Sequence, residues 1–224
     1  MRPIAFIFPS GRQALRSVLA WLGGWLLCAA MAQTGLEHYG ESGNETVTAW
    51  RRLLEESRPL PMDEQLQAVN QFFNRRLRFT TDQAAWGVSD YWATPIEFMR
   101  RSQGDCEEFA IAKYVSLLML GVPSERLRLI YVRARLGSAA SGNSEAHMVL
   151  GYYADPTGEP LLLDNLVNGI RPAASRPDLT PVFSFNTQGL WVPGSEKPAA
   201  ADPTARLSRW RDLLSRMKTE GVKL

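Results

Sequence analysis

Cysteine and histidine are scarce in this sequence, with two residues of each type among 224. Two cysteines allow at most one disulfide bridge. The formal net charge of +2 is too small to indicate a nucleic-acid partner, and the chain lacks the basic stripe interleaved with aromatic residues that such binding needs. No internal repeat is present. With 45% hydrophobic residues, the chain can bury one sizeable core, so we expect a single domain.

The N-terminal region also lacks an apolar run of the roughly 20 residues that a membrane-spanning helix needs. Its apolar run covers 18–30 and follows three arginines: Arg2, Arg12 and Arg16. Ala30-Met31-Ala32 matches the small-x-small pattern that signal peptidase cuts. We therefore predict a signal peptide over residues 1–32 and a mature chain that starts near Gln33. A retained signal anchor is the alternative.

Removal of that leader would leave one cysteine, because Cys28 lies inside it. The remaining thiol, Cys106, would then stand in a compartment that favours disulfides, yet it could not be half of an internal bridge. A buried structural cysteine is one explanation. A reactive nucleophile is the other, and the residues around Cys106 favour it.

Apolar residues at helical spacing predict two helices early in the mature chain. Ser42 or Asn44 is expected to cap the first, and Asp63 the second. Between residues 79 and 91 the pattern is irregular, and this segment could line a cleft or cover the core. Thr94-Pro95-Ile96-Glu97 then combines an N-cap, a proline at the first helical position and an acid at the third. This combination predicts a short helix that ends near residues 103–104.

Residues 106–120 are apolar almost all round, which is typical of a helix buried in the centre of a domain. β-Branched and aromatic residues with intervening turns predict three strands after it: 127–135, 147–153 and 161–164. Helices followed by an antiparallel meander indicate an α+β fold. After Trp191 the composition shifts to a linker and a short amphipathic helix. We therefore predict one domain over 33–194, and a linker with a peripheral C-terminal helix over 195–224.

Cys106 is the candidate nucleophile. In the first turn of a helix, backbone N–H groups and the helix dipole stabilise a thiolate and can also face a developing oxyanion. His38 lies near the start of the mature chain, so His147 is the candidate base. A four-residue loop over 154–157 would place Asp164 opposite His147, where it could orient the imidazole. A slip of one residue would turn Asp164 to the other face, and each of these residues alone could be purely structural.

Three acids surround this cysteine: Asp105, Glu107 and Glu108. Their negative charge opposes thiolate formation. They could simply complement the helix N-terminus, at about 0.3–1 kcal/mol each. However, three adjacent acids exceed that need, and clustered carboxylate oxygens are the ligands that Ca²⁺ prefers. From the residues alone, both explanations stay open.

Four ordered motifs resemble those of the LapG family, which are periplasmic bacterial transglutaminase-like cysteine proteinases. The motifs are Gly104-Asp105-Cys106-Glu107-Glu108-Phe109-Ala110, Ala146-His147-Met148-Val149-Leu150, Leu163-Asp164-Asn165-Leu166, and Pro181-Val182-Phe183-Ser184-Phe185-Asn186 with Gly189-Leu190-Trp191. The resemblance runs from about Trp50 to Trp191. It implies a papain-like, transglutaminase-like core in which a central buried helix packs on an antiparallel sheet.

The resemblance also implies a function. It implies a periplasmic, calcium-dependent endopeptidase that clips the N-terminal region of a large surface adhesin at paired alanines, which releases the adhesin and promotes biofilm dispersal. An inner-membrane cyclic-di-GMP receptor of the LapD type would sequester the protease. The family's catalytic triad corresponds to Cys106, His147 and Asp164. Its calcium ligands correspond to Asp105 and Glu107, and lastly to Glu108, which stands where relatives have an aspartate.

Two other functions use the same residues. A transglutaminase-type acyl transferase would resolve the thioester with an amine instead of water. A non-enzymatic transglutaminase-like binding module is the second alternative. The intact set of cysteine, histidine and aspartate argues against it.

Overall fold

The computed structural model describes residues 41–135, 144–195 and 197–222, with the backbone alone for residues 41–43. The predicted signal peptide, Cys28, Gln33 and His38 lie outside the described residues. The described helices, in chain order, are α1 Glu41–Ser57, α2 Met62–Arg76, α3 Asp82–Trp86, α4 Pro95–Arg101, α5 Cys106–Met119 and α6 Ser208–Thr219. The described strands are β1 Arg78–Phe79, β2 Gln103–Gly104, β3 Leu127–Arg135, β4 Ser144–Tyr152, β5 Leu161–Leu163, β6 Arg171–Pro172, β7 Leu179–Phe185 and β8 Leu190–Trp191.

Six strands form one sheet in the order β6-β5-β4-β3-β7-β8, and every neighbouring pair in it is antiparallel. The short strands β1 and β2 pair in parallel beside it. Side chains of β3 alternate between the two faces of the sheet, as the pleat requires. Leu127 and Leu129 belong to the main core, whereas Ile130 and Val132 form a smaller cluster on the opposite face. The predicted α+β fold is confirmed.

Helix α5 is the centre of the molecule, as its sequence predicts. Its apolar residues face neighbours on all sides, and Ala112, Tyr114 and Val115 are fully buried. It packs against α2 and β4. A helix without a polar face is stable only inside a core. Cys106 therefore begins a helix that the rest of the domain holds in place.

The start of α4 also follows the sequence prediction. Thr94 Oγ1 accepts a hydrogen bond from the Glu97 amide at 3.1 Å, and a Glu97 carboxylate oxygen accepts one from the Thr94 amide at 2.8 Å. This reciprocal pair is a capping box. The helix ends at Arg101, two residues before the predicted end, because Ser102 adopts the left-handed conformation with φ 58°.

The predicted caps of the first two helices are wrong. Asn44 lies inside α1, where its carbonyl oxygen accepts from Thr48 Oγ1 at 3.0 Å. Pro61 precedes α2 and makes no side-chain cap, but its carbonyl oxygen accepts from the Gln65 amide at 2.9 Å. Asp63 therefore lies within the first turn, where its charge complements the helix N-terminus.

The C-terminal helix is not peripheral, contrary to the sequence prediction. Trp210, Leu213 and Met217 of α6 are buried and belong to the main core. Arg216 also forms an ion pair with Glu97 of α4. An amphipathic stripe shows which face of a helix is apolar, but not which core receives it. No described helix is both long enough and apolar enough to span a bilayer.

Candidate active site

Cys106 is the first residue of α5, and its position is fixed by a capping box. The Asp105 carboxylate accepts from the Glu107 amide at 3.1 Å, and the Glu108 carboxylate accepts from the Asp105 amide at 2.9 Å. Gly104 directly precedes this turn and packs closely against Glu108 and Phe98. A Cβ at Gly104 would come within 2.9 Å of both Glu108 Oε2 and a ring carbon of Phe98. Glycine is required here because any side chain would displace the acid.

The Cys106 thiol is buried and hydrogen-bonds to a carboxylate. Its Sγ lies 2.8 Å from Glu107 Oε2. Burial raises the pKa of Cys106 strongly, and the charge and hydrogen bond of Glu107 raise it further, whereas a hydrogen bond from the Met148 amide lowers it. These contacts favour the protonated thiol, so a reaction through it needs a base.

The candidate base, His147, lies on the adjacent strand. His147 lies on β4, and its Nε2 is 2.8 Å from Asp164 Oδ1. Both residues are buried, with His147 4% and Asp164 1% exposed. Since Nε2 faces the carboxylate, Nδ1 is the ring nitrogen that remains for another partner. The Met148 contact to sulfur shows that β4 runs directly beside Cys106.

The pairing that brings His147 to Asp164 differs from the predicted register. The predicted loop over 154–157 is wrong, because β4 ends at Tyr152 and β5 begins at Leu161. Tyr152 pairs with Leu161 and Leu150 with Leu163, a shift of two residues from the prediction. A shift of two keeps every side chain on its face of the sheet. Asp164 follows the end of β5 and meets the histidine diagonally.

Asp164 is held on its other side by an arginine that the sequence reasoning missed. Arg176 Nη1 lies 2.8 Å from Asp164 Oδ2, in an ion pair whose angles fall outside those of a hydrogen bond. Burial acts to raise the pKa of Asp164, but the hydrogen bond and charge of His147, with the Leu166 amide and Arg176, together lower it to about 2. Asp164 is therefore ionised. No local pattern in the sequence pointed to Arg176.

A second group contains only carboxylates, of which Asp82 and Glu108 are buried and Asp105 is half-buried. Ligand oxygens of Asp82, Asp105 and Glu108 lie within 4.8 Å of one another. Burial, followed by the charge of Asp105, raises the pKa of Asp82 to about 6. Burial, followed by a hydrogen bond and the charge of Glu107, raises the pKa of Asp105 to about 7. Asp82 Oδ1 is buried and has no hydrogen-bond partner among the described residues.

These residues fit a hard cation. Buried carboxylates that repel one another and leave an oxygen unpartnered are satisfied by Ca²⁺, which binds through oxygen. Asp105, Cys106 and Glu107 form an overlapping group, but its thiol makes it a poorer calcium site. Of the three acids predicted as ligands, Asp105 and Glu108 thus lie in the all-oxygen group and Glu107 lies against the thiol. Asp82 was missed, because it begins the short helix α3 inside the segment whose sequence pattern is irregular.

An apolar cavity of about 350 Å³ lies on the other face of the sheet. It is lined by the small cluster of Ile130, Val132, Val149 and Leu162, with Arg176 among its polar neighbours. Cys106, His147 and Asp164 do not line it. This cavity adjoins the candidate site through Arg176, which also contacts Asp164.

The class of protein follows from these features. A thiol at a helix start, a histidine on the neighbouring strand and a buried carboxylate on that histidine, within an α+β fold, form an acyl-transfer site of the kind found in cysteine proteinases and transglutaminases.

Comparisons with known proteins identify the family. A family model described as bacterial transglutaminase-like cysteine proteinase matches residues 46–179. The structure is similar to that of Legionella pneumophila LapG, with 40% sequence identity, a TM-score of 0.67, and coverage of 80% of this chain and 91% of that chain. The chain belongs to the bacterial transglutaminase-like cysteine proteinase family, as its motifs predict.

Two further structures of the same relative are described as EGTA-treated and as calcium-bound. The EGTA-treated form of Legionella pneumophila LapG matches with 40% identity and a TM-score of 0.69, over 80% of this chain and 91% of that chain. The calcium-bound form matches with 40% identity and a TM-score of 0.69, over 80% of this chain and 93% of that chain. A search of curated proteins found no match.

Proposed function

We propose that this protein is a calcium-dependent periplasmic cysteine endopeptidase with Cys106, His147 and Asp164 as its catalytic triad. Its proposed substrate is the N-terminal region of a large surface adhesin, cut at paired alanines, so that the adhesin leaves the cell and the biofilm disperses. Membership of a cysteine proteinase family supports the proteolytic activity. The adhesin and the periplasmic location are carried over from the resemblance of the four motifs.

The proposed triad is supported by the contacts that join His147 to Asp164 and β4 to Cys106. Asp164 holds Nε2 of a buried histidine at 2.8 Å, while the amide of the next residue, Met148, hydrogen-bonds to the Cys106 sulfur. The Met148 amide places β4 beside the thiol, so Nδ1 of His147 is the ring nitrogen proposed to exchange a proton with Cys106. A carboxylate that holds one ring nitrogen keeps the imidazole in one tautomer and stabilises the imidazolium that forms during reaction.

In the proposed reaction, Nδ1 of His147 takes the proton from Cys106, and the thiolate attacks the carbonyl carbon of the scissile peptide bond. Backbone N–H groups in the first turn of α5 stabilise the oxyanion. His147 then gives its proton to the leaving amine as the carbon–nitrogen bond breaks. Water hydrolyses the resulting thioester, which releases the new carboxyl terminus and restores the thiol.

Asp82, Asp105 and Glu108 are the proposed calcium ligands. Bound calcium supplies positive charge beside Cys106, where Glu107 and Asp105 otherwise oppose thiolate formation. The chain itself holds the site rigid, because the Ala93 amide donates to Glu108 at 2.8 Å and the Tyr91 amide donates to Asp82 at 2.5 Å. The unpartnered Asp82 oxygen and the close approach of three acids, two of them buried and one half-buried, support this assignment.

Incubation with adhesin fragments tests substrate and metal together. Purified protein is mixed with N-terminal adhesin fragments that contain a paired-alanine site, with calcium or with excess chelator. We expect cleavage at the paired alanines in calcium, and none in chelator or with Cys106→Ala. A fragment with the alanines replaced is the matched substrate control. Cleavage by Cys106→Ala would overturn the thiol mechanism, and undiminished cleavage in chelator would overturn the calcium dependence.

An inner-membrane cyclic-di-GMP receptor of the LapD type is the proposed regulatory partner, again from the resemblance. The receptor would sequester the protease when the nucleotide is bound. The test is retention of the purified protein on receptor-containing vesicles with and without cyclic-di-GMP. Retention that does not depend on the nucleotide would contradict this regulation.

A further inference from the structure

We propose that Arg176 is a positioning residue that holds Asp164 in the orientation His147 requires. This inference rests on the proposed triad and adds a fourth side chain to it. Arg176 touches neither the thiol nor the imidazole in any contact that the structure describes, so its effect passes through the carboxylate.

The two oxygens of Asp164 have different partners. Oδ1 lies 2.8 Å from His147 Nε2 and accepts from the Leu166 amide at 3.0 Å. Oδ2 lies 2.8 Å from Arg176 Nη1. A carboxylate can turn about its terminal bond, and a turn would move Oδ1 away from the imidazole. The arginine opposes that turn because it holds the second oxygen in place.

Arg176 is itself fixed. Its guanidinium binds Asp178 through a second edge, with Nε 3.0 Å from Oδ1 and Nη2 2.7 Å from Oδ2. Its backbone closes a turn, since its amide donates to the Ala173 carbonyl at 2.9 Å and its own carbonyl accepts from the Leu179 amide at 3.1 Å. The side chain is 6% exposed. A planar fork with two carboxylate partners keeps one orientation, which a single ammonium group could not do.

A second buried basic residue near Asp164, Lys113, differs from Arg176 in that it does not orient the carboxylate. Lys113 of α5 is fully buried and interacts electrostatically with Asp164. Its Nζ makes no hydrogen bond within the described part of the chain. Burial lowers the pKa of Lys113 to about 7, so this lysine supplies only part of a positive charge, and it makes no described hydrogen bond that could orient Asp164. Loss of Arg176 would leave the His147 and Leu166 contacts, which favour the ionised carboxylate, but Oδ2 would lose the ion pair that opposes its turning.

The test compares Arg176→Met, Asp164→Asn and the double variant. The rate of Cys106 alkylation by iodoacetamide is followed in its own peptide by mass spectrometry, beside the ¹⁵N shifts of the His147 ring. We expect Arg176→Met to slow alkylation about 10- to 100-fold, as a misplaced catalytic group does. Its ring shifts should move towards an average of the two tautomers. Arg171→Met is the matched control, because Arg171 is an exposed arginine on neighbouring β6, and its rate should equal that of the wild type.

The double variant distinguishes an effect that passes through Asp164 from a general loss of structure. If Arg176 acts only through Asp164, Arg176→Met should have no further effect when Asp164 is already asparagine, because coupled residues are not additive. An unchanged rate in Arg176→Met, or a full further loss in the double variant, would overturn the inference while the triad stands. If wild-type Cys106 reacts no faster than in His147→Gln, the triad fails and takes the inference with it.

Arg176→Met leaves a buried carboxylate without its ion-pair partner and could prevent folding, so a milder variant is needed. Asp178→Asn weakens the contact of Arg176 with the partly exposed Asp178 and leaves the Arg176–Asp164 pair in place. We expect it to slow alkylation by a smaller factor, and only when Asp164 is present. An unchanged rate in this variant, with Arg176→Met unfolded, would overturn the inference.

Discussion

Replacing Asp82 by asparagine should stabilise the protein without metal and destabilise it with calcium. Burial and the charge of Asp105 raise the pKa of Asp82 to about 6. Because this pKa lies above that of the unfolded chain, the ionised group opposes folding above about pH 6, and the effect vanishes below about pH 4. A rise of roughly two pKa units corresponds to about 3 kcal/mol at pH 7. Asparagine removes that charge and keeps an oxygen for the Tyr91 amide.

Calcium should make the wild type more stable than Asp82→Asn, the reverse of the order expected without metal. At a free concentration of about 1,000 times the Kd, a ligand that binds only the folded state adds about 4 kcal/mol. This gain exceeds the metal-free cost of Asp82. The variant loses one of three proposed ligands and should gain little. The wild type is therefore expected to be the more stable protein in calcium.

Thermal unfolding in chelator and in excess calcium measures both effects. For a domain of this size, 3 kcal/mol corresponds to roughly 6 °C or more in Tm. Asp63→Asn is the matched control, since Asp63 is an exposed acid in the first turn of α2; its Tm should change little in either buffer. A lower Tm for Asp82→Asn in both buffers would refute the reasoning and leave Asp82 as an ordinary structural acid.

Three further predictions concern the thiol, the carboxylate and the C-terminal helix. Cys106→Ala should abolish peptide cleavage and leave the circular dichroism spectrum unchanged, because it removes a nucleophile and little volume; retained cleavage would contradict the mechanism. The pKa of Asp164 is lowered to about 2, so its contribution of about 2–3 kcal/mol is present above pH 4 and lost as the pH falls towards 2. Acid unfolding of Asp164→Asn should lack that loss, and an unchanged acid transition would contradict it. Leu213→Ala should lower the free energy of unfolding in urea by about 2–5 kcal/mol, whereas a truly peripheral helix would lose less than about 0.5 kcal/mol.

Residues close together in the sequence determined several helices and strands. The capping box at Thr94 and Glu97, the apolar helix from Cys106 and the strand Leu127–Arg135 were predicted and are present. Each depends on residues within one or two turns of one another, where spacing and side-chain type decide the local structure. The local sequence also identified Cys106 and the acids around it, because they are neighbours in the chain.

Tertiary structure alone decided how distant residues meet. Asp82 joins Asp105 and Glu108 across more than twenty positions, and Arg176 reaches Asp164 from beyond β6. The length of the β4–β5 connection set the register, and the burial of α6 depended on where the core had room for Trp210. None of these contacts leaves a periodic pattern, because a carboxylate, an arginine or an apolar stripe is compatible with many partners. Packing and charge select one partner only when the whole chain is folded.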